Sequence, residues 1–464
     1  MTLDGMPSTA AVHLDLSGTD LPEWVAGLFR QEAGSVEAIL GAPLVVGPAV
    51  DGEPCWIVEP RADDQPVTVT WDPEHLRLVS TANGAREVLD STLLLGRLAR
   101  SSQRRVEWSV PETVDDAVDV FVDALENDAA YWQFAAEPWP VVRDRALASR
   151  PGSWDEFRAW AEELLAHLPD GHARIAATSQ TTFNPPYQAR LDGDHVILSK
   201  VPEGSAAFAA GVRPGWTSAV PDAERWWRTT PASPQGRPWR TARRFLRVVG
   251  DERTFTATSP DGHAVTWVEA RSEQPRREVI TVSHNPSGAV LVWLDSFSDD
   301  PRITEVMDEL CKGANPDDHM VLDLRGNPGG KVVVEHALAG RFLRQKTFLG
   351  TTTYSDARGG FGPHVERWGD PSDDPCWPGR LTILVDVHTF SSPEAFVGRL
   401  QGLPHVTVLG DATGGGIGMP CRVPLGHGLE AWFASAICYD RGGPPIDVRG
   451  IRPDGPLVDD PTAL

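Results

Sequence analysis

Cysteine is scarce in this chain. Its five cysteines (Cys55, Cys311, Cys376, Cys421 and Cys438) are odd in number, widely spaced and never arranged as Cys-x-x-Cys, which excludes a disulfide framework and offers no zinc-ligand spacing. They read as reduced core residues. No apolar run reaches the roughly twenty residues of a membrane span. No Lys or Arg precedes Arg30, and the N-terminus lacks the apolar core of a signal peptide, so a cytoplasmic protein without membrane contact is expected. Positive charge is also short: 42 Lys and Arg stand against 65 Asp and Glu, a net charge of −23. Such a surface repels nucleic acid and would sooner accept basic or neutral peptides. Nothing implies a metal or an organic cofactor.

With 41% hydrophobic and 23% charged residues over 464 positions, the chain is an ordinary globular protein of two or three domains. Two stretches organise it. In Val321-Leu-Asp-Leu-Arg-Gly-Asn-Pro-Gly-Gly330 a buried strand is cut off by a turn at Gly326, Asn327 and Pro328. Gly329 and Gly330 follow, and backbone N–H groups without side chains at the start of a helix can hold negative charge. About sixty residues on, Leu381–Asp386 reads as another buried strand and Ser392–Leu400 as a helix with Pro393 in its first turn. Ser391 sits at their junction, facing the positive end of a helix dipole. Ser391 and Ser392 are equally suited to be plain helix caps.

These stretches, with Gly410-Asp-Ala-Thr-Gly-Gly415, resemble the core of the tail-specific (C-terminal processing) serine peptidases, a family that also includes tricorn proteases and the interphotoreceptor retinoid-binding protein. The resemblance runs with gaps from about residue 115 to the C-terminus. It implies an α/β fold with ClpP/crotonase-like αββ core layers, a helical cap and an inserted PDZ-like β domain. It also makes Ser391, three residues before Glu394, the nucleophile.

Residues 1–105 read as a small α/β or α+β module of no readable role, with a helix near Leu21–Phe29, strands at Cys55–Glu59 and Val67–Trp71, and a helical pattern over Val88–Leu98. Helical periodicity then runs from Val114 to Leu168, with apolar positions such as Val118, Phe121, Leu125, Phe157 and Leu164; residues 106–172 resemble the family's helical cap leading into the core. Residues 184–271 resemble a PDZ domain, a module that adds an extended peptide to a sheet edge, although the Trp-, Arg- and Pro-rich stretch Pro221–Arg240 departs from a minimal one. The peptidase core is 272–464. In it, the Gly-, Asp- and Pro-rich loop Thr351–Pro378 is expected to overhang the cleft.

Serine needs a base to take its proton. The Ser–Lys branch of the family supplies a Lys, but Gly416 stands in its place here. The tricorn-like branch uses a His entering the first core strand, which falls on His172 of Leu168-Pro-Asp-Gly-His172, and an acid near the C-terminus, which falls on Asp447 of Asp447-Val-Arg-Gly450. The resemblance therefore implies Ser391, His172 and Asp447 as a triad, with an oxyanion hole from Gly329 or Gly330 and Ser392. His388, His336 and His364 are competitors read as structural or lid residues. Without the resemblance, His172 reads as a surface histidine and Asp447 as a solvated loop carboxylate.

The expected substrate is a peptide or protein, and relatives often self-associate. Two other readings stay open: a retinoid-binding-like protein whose 17 Trp residues line an apolar cavity, and a peptide-binding adaptor with a blocked core site.

Overall fold

The structure is a computed structural model that describes residues 110–456, apart from 178–180, 272–277, 299, 356–358, 362–363, 370, 373–374, 442 and 444, together with the backbone of five strands between residues 44 and 89. Those five, β1 (Leu44–Val50), β2 (Glu53–Val58), β3 (Val67–Asp72), β4 (Arg77–Ala82) and β5 (Ala85–Leu89), pair antiparallel in sequence order. The helix expected near Leu21 lies outside the described residues. The one expected over Val88–Leu98 begins inside β5, and its remainder also lies outside them.

Helices occupy much of the stretch between residues 114 and 165. Helix α1 (Val114–Asn127) starts at Thr113, whose hydroxyl accepts the Asp116 N–H, and buries Val118, Phe121 and Leu125 on one face. Helices α2 (Trp139–Leu147) and α3 (Trp154–Leu165) follow, and Phe157 meets Phe121 edge-on at 6.3 Å between ring centroids. Between α1 and α2 a short 3-10 turn (Ala130–Phe134) carries the fully buried Tyr131. After α3 the chain turns at Asp170-Gly171-His172 into β6 (Arg174–Ala177).

A second module is inserted there. Short strands β7 (Thr182–Phe183) and β11 (Val248–Val249) pair at its neck. Strands β8 (Gln188–Asp192), β9 (His195–Lys200), β10 (Thr217–Ala219), β12 (Glu252–Thr258) and β13 (Ala264–Ala270) form an antiparallel sheet in the order β13-β12-β10-β9-β8. The β12–β13 hairpin turns through Gly262, whose φ of 89° suits glycine. Helices α4 (Ala206–Ala209), α5 (Ala223–Arg228) and α6 (Arg237–Leu246) complete it, and α6 packs Ala242, Phe245 and Leu246 into the sheet's own core.

The chain then builds a sheet of β14 (Ile280–His284), β15 (Val290–Leu294), β16 (His319–Asp323), β19 (Arg380–Val385) and β20 (Val406–Gly410), in which β15, β16, β19 and β20 run parallel. Helices α7 (Arg302–Gly313), α8 (Val332–Gly340) and α9 (Ser392–Leu400) pack against it. Apolar runs such as Leu381–Val385, buried throughout, are what a parallel sheet covered by helices requires. Strands β17 (Thr347–Tyr354), β18 (Val365–Gly369) and β23 (Ala436–Tyr439) form one smaller sheet. In another, β21 (Pro420–Gly426) and β22 (Leu429–Ala434) pair in line with β6, which brings His172 back to the core across the inserted module.

The expected lid is absent among the described residues. Thr351–Pro378 supplies most of the β17–β18 hairpin, and its Trp377 is fully buried, its indole N–H bonding to the Arg380 carbonyl. Frequent Gly, Asp and Pro hid the strand alternation.

Candidate active site

The site lies at the C-terminal ends of parallel strands β16 and β19, the usual crevice of such sheets. Two loops leave these ends and are bonded together. Asp386 Oδ1 accepts the N–H groups of Gly326, His388 and Thr389, each at 3.0 Å, and the Phe390 N–H donates to the Asn327 carbonyl at 3.1 Å.

Ser391 occupies the sharp turn from β19 into α9 with φ 73° and ψ −121°. A side chain at positive φ is strained and persists only where neighbours fix it. Glu394 does so. Its fully buried carboxylate accepts the Ser391 N–H (2.9 Å), the Thr413 hydroxyl (2.6 Å) and the N–H groups of Gly415 (2.7 Å) and Gly416 (2.9 Å). Burial raises the pKa of Glu394, against which these four donors hold the charge. A serine lifted out on a strained strand-to-helix turn is the geometry of a nucleophile elbow.

His172 meets that serine. Its Nε2 is 3.3 Å from Ser391 Oγ, and the residue is 8% exposed. Burial foremost, then the charges of Arg240 and Arg174, push its pKa down to about 3, so the ring is neutral and able to accept a proton. Asp170 lies behind it: Oδ1 accepts the His172 backbone N–H at 2.7 Å and stands 3.8 Å from His172 Nδ1, while Oδ2 accepts the Ala434 N–H of β22 at 2.6 Å. Nδ1 is buried and has no hydrogen-bond partner among the described residues.

Asp447 does not join Ser391 and His172, contrary to expectation. Only 2% exposed, it spends both oxygens elsewhere: Oδ1 accepts from the Tyr131 hydroxyl and from the N–H groups of Ile417 (3.0 Å) and Gly418 (2.6 Å), and Oδ2 from the Cys438 N–H (2.6 Å). It ties the C-terminal loop to β23 and the cap. Burial pushes its pKa up to about 7.

Of the expected oxyanion donors, the Gly329 N–H is taken by Asn327 Oδ1 at 3.0 Å. Gly329 is instead pressed against the serine, for a Cβ there would lie 3.0 Å from Ser391 Cβ. Gly330, whose carbonyl accepts the Ser392 hydroxyl at 2.9 Å, and Ser392, at the first position of α9, keep backbone N–H groups without an acceptor among the described residues.

Phe390 was not foreseen. Its ring lies 4.8 Å from the His172 ring and beneath the Arg240 guanidinium at 3.8 Å. A Cβ on Gly416 would stand 2.2 Å from it and one on Gly171 2.6 Å. The ring therefore fills the space that a Lys at 416 would need, which accounts physically for that departure from the Ser–Lys pattern. The competing histidines are occupied elsewhere. His388 packs edge-on against Trp239, His336 pairs with Glu335 at 3.0 Å, and His364 bonds the Thr351 hydroxyl at 3.1 Å. Asp170 carried only a weak signal, an Asx residue two before the histidine. Glu394 was legible as part of the motif but not as the anchor of the turn.

Residues 289–457 match the sequence model of peptidase family S41. This segment, a little over a third of the chain, is what resembles that family. A carboxy-terminal-processing protease of Bartonella bacilliformis is 28% identical over 134 residues, which are 29% of this chain and 30% of that relative's length. Among solved structures, mature CPAF superposes with a TM-score of 0.57 at 12% identity over 74% of this chain and 93% of its own. The photosystem II D1 C-terminal processing protease gives 0.54 at 18% identity over 76% and 95%. At these identities the likeness is one of fold.

Proposed function

We propose that the protein is a serine peptidase that hydrolyses peptide bonds through an acyl-enzyme on Ser391. The observation that carries this reading is the contact of His172 Nε2 with Ser391 Oγ at 3.3 Å on a positive-φ turn at the start of a helix. His172, neutral, takes the hydroxyl proton as Oγ attacks the carbonyl carbon and returns it to the leaving amine; water then repeats the sequence to release the acyl group. Asp170 is the orienting acid, reaching Nδ1 by a shift of under 1 Å from 3.8 Å. The N–H groups of Gly330 and Ser392 receive the oxyanion, each donor being worth about 3 kcal/mol in the transition state. Asp447 is a structural acid. In this reading the β8–β13 module is a PDZ-like insert that presents substrate. The retinoid-type alternative gains no support, since the cleft beside Ser391, although Trp226, Trp239 and Trp432 line part of it, also carries eight arginines, which an apolar ligand would leave unpaired.

The test is labelling of the purified protein by a fluorophosphonate probe. Labelling that is lost in Ser391→Ala and in His172→Ala supports the reading; an unlabelled wild type overturns it.

A further inference from the structure

Beside Ser391 and His172 opens a cleft of about 780 Å³. The chain's net charge is −23, yet eight arginines line this cleft among the described residues, against only Asp155 and Glu162 as carboxylates. Glu162 is already engaged: it pairs with Arg158 at 3.3 Å and with Arg244. Strong positive charge concentrated in a concave, low-dielectric wall of an acidic protein focuses the field there, whatever the net charge.

Helix α6 and the residue that caps it supply half of these arginines. Arg240 and Arg243 are three apart on the helix, and Arg247, its C-cap, follows four residues later, so the three are set along one side. The stretch leading into α6 is fixed to the core. The Ser233 hydroxyl donates to the Gly414 carbonyl at 2.6 Å, and Gln235 Nε2 donates to the Val448 carbonyl at 2.9 Å. That docking explains the departure of Pro221–Arg240 from a minimal PDZ pattern: the segment is part of the cleft wall. Arg240 comes closest to the chemistry. It stacks on Phe390, the residue before Ser391, and its Nη2 is 3.1 Å from where a Cβ on Gly171, the residue before His172, would sit. Burial, then the like charge of Arg243, lower its pKa from 12.5 to about 9, against which the carboxylates of Asp170 and Glu394 act.

We propose that this cleft selects substrate segments bearing carboxylates, and that Arg240, Arg243 and Arg247 are the specificity-determining residues that receive them. The inference rests on the peptidase reading. Seven residues of helix rise about 10 Å, the span of about three residues of extended peptide, so carboxylates up to about three positions from the scissile bond come within reach. Guanidinium forks suit carboxylates bidentately. The carboxylate comes either from Glu and Asp side chains or from a free C-terminus.

The test uses full-length Ser391→Ala and fluorescein-labelled peptides of one frame carrying Glu-Glu, Gln-Gln or Lys-Lys, each with a free and an amidated C-terminus, read by anisotropy. Expected is binding of the Glu peptides about tenfold or more tighter than the Gln peptides, weakening as salt is raised. Arg243→Glu, at an exposed position, should shift the preference toward Lys-Lys. If amidation abolishes binding while Glu-to-Gln exchange does not, the carboxylate is the terminal one. Equal binding of all six peptides, or tighter binding of a single-stranded RNA of similar length, overturns the proposal. Fluorophosphonate labelling of the wild type separates the two readings. Labelling without carboxylate preference sinks this inference and leaves the peptidase. Carboxylate preference without labelling sinks the peptidase and leaves a carboxylate-binding cleft.

Discussion

Asp170 reaches the histidine two residues on: its Oδ1 accepts the His172 backbone N–H at 2.7 Å and stands 3.8 Å from the ring's Nδ1. On the proposed mechanism the orienting acid is thus built into the turn that delivers the base. Asp170→Asn should lower kcat by about 10³–10⁴-fold, as removal of an orienting acid does in serine peptidases, and, because its amide nitrogen would face the His172 or Ala434 N–H, cost about 1–3 kcal/mol of stability as well. Asp447→Asn should show the second effect without the first. Its amide nitrogen would face N–H donors, costing about 1–3 kcal/mol of stability with a far smaller loss of kcat. Paired kinetics and denaturation curves on the two variants decide between the acids.

How much of this was legible in the sequence follows from what kind of interaction made each part. The strand–turn–helix units around Gly329 and Ser391 come from local patterns of apolar runs, Gly and Pro, and they fold as read. The placing of Asp447 is set by three backbone N–H groups and the Tyr131 hydroxyl, 316 residues away, and no local pattern encodes such a meeting. Likewise the arginines of α6 read as a departure from a module because the surface that they complete belongs to the other end of the chain. Net charge is a sum over the surface and says nothing of the cleft, whose arginines only the folded chain gathers.

Phe390 should be exacting about its neighbours. Gly416→Ala places a Cβ 2.2 Å from the ring and should cost about 1–3 kcal/mol or more through overpacking. It should also reduce fluorophosphonate labelling by displacing the ring from His172. Gly204→Ala, where a Cβ meets nothing within 4 Å, is the control and should change neither. Equal behaviour of the two variants would show that the ring does not constrain the site.

The pH profile should carry the mark of a buried base. His172 must be neutral to act, and its pKa of about 3 keeps it so far below the ordinary histidine value of 6.5. The acidic limb of kcat/KM should therefore lie well under pH 6, and activity should persist at pH 5. Arg240→Gln removes one of the charges that depress the pKa and should move that limb upward, though only in part, since burial is the larger cause. In stability the sign is set by the same proton. Between about 3 and 6.5 the unfolded chain binds a proton at His172 that the folded chain does not, so this residue's contribution is lost as pH falls through that window. His172→Phe should flatten that part of the pH–stability curve.

Glu394 carries the last prediction, because it holds Ser391, the proposed nucleophile, in a conformation that serine does not choose. Four donors converge on its carboxylate, and one of them is the Ser391 N–H itself. Glu394→Gln keeps the shape but replaces one acceptor oxygen with an NH₂ group that must face donors, so stability should fall by about 1–3 kcal/mol. The positive-φ turn would lose its tether, and labelling of Ser391 should fall by at least about tenfold, since each lost decade corresponds to 1.4 kcal/mol. Thr413→Val removes one donor to Glu394 and the acceptor of the Ile451 N–H but leaves the Ser391 N–H in place. It should lower stability by about 1–3 kcal/mol while labelling survives. If Glu394→Gln labels as fast as the wild type, the strain at Ser391 is maintained by the packing of Pro393 and Phe396 in α9, and the carboxylate serves the Thr413–Gly416 loop alone.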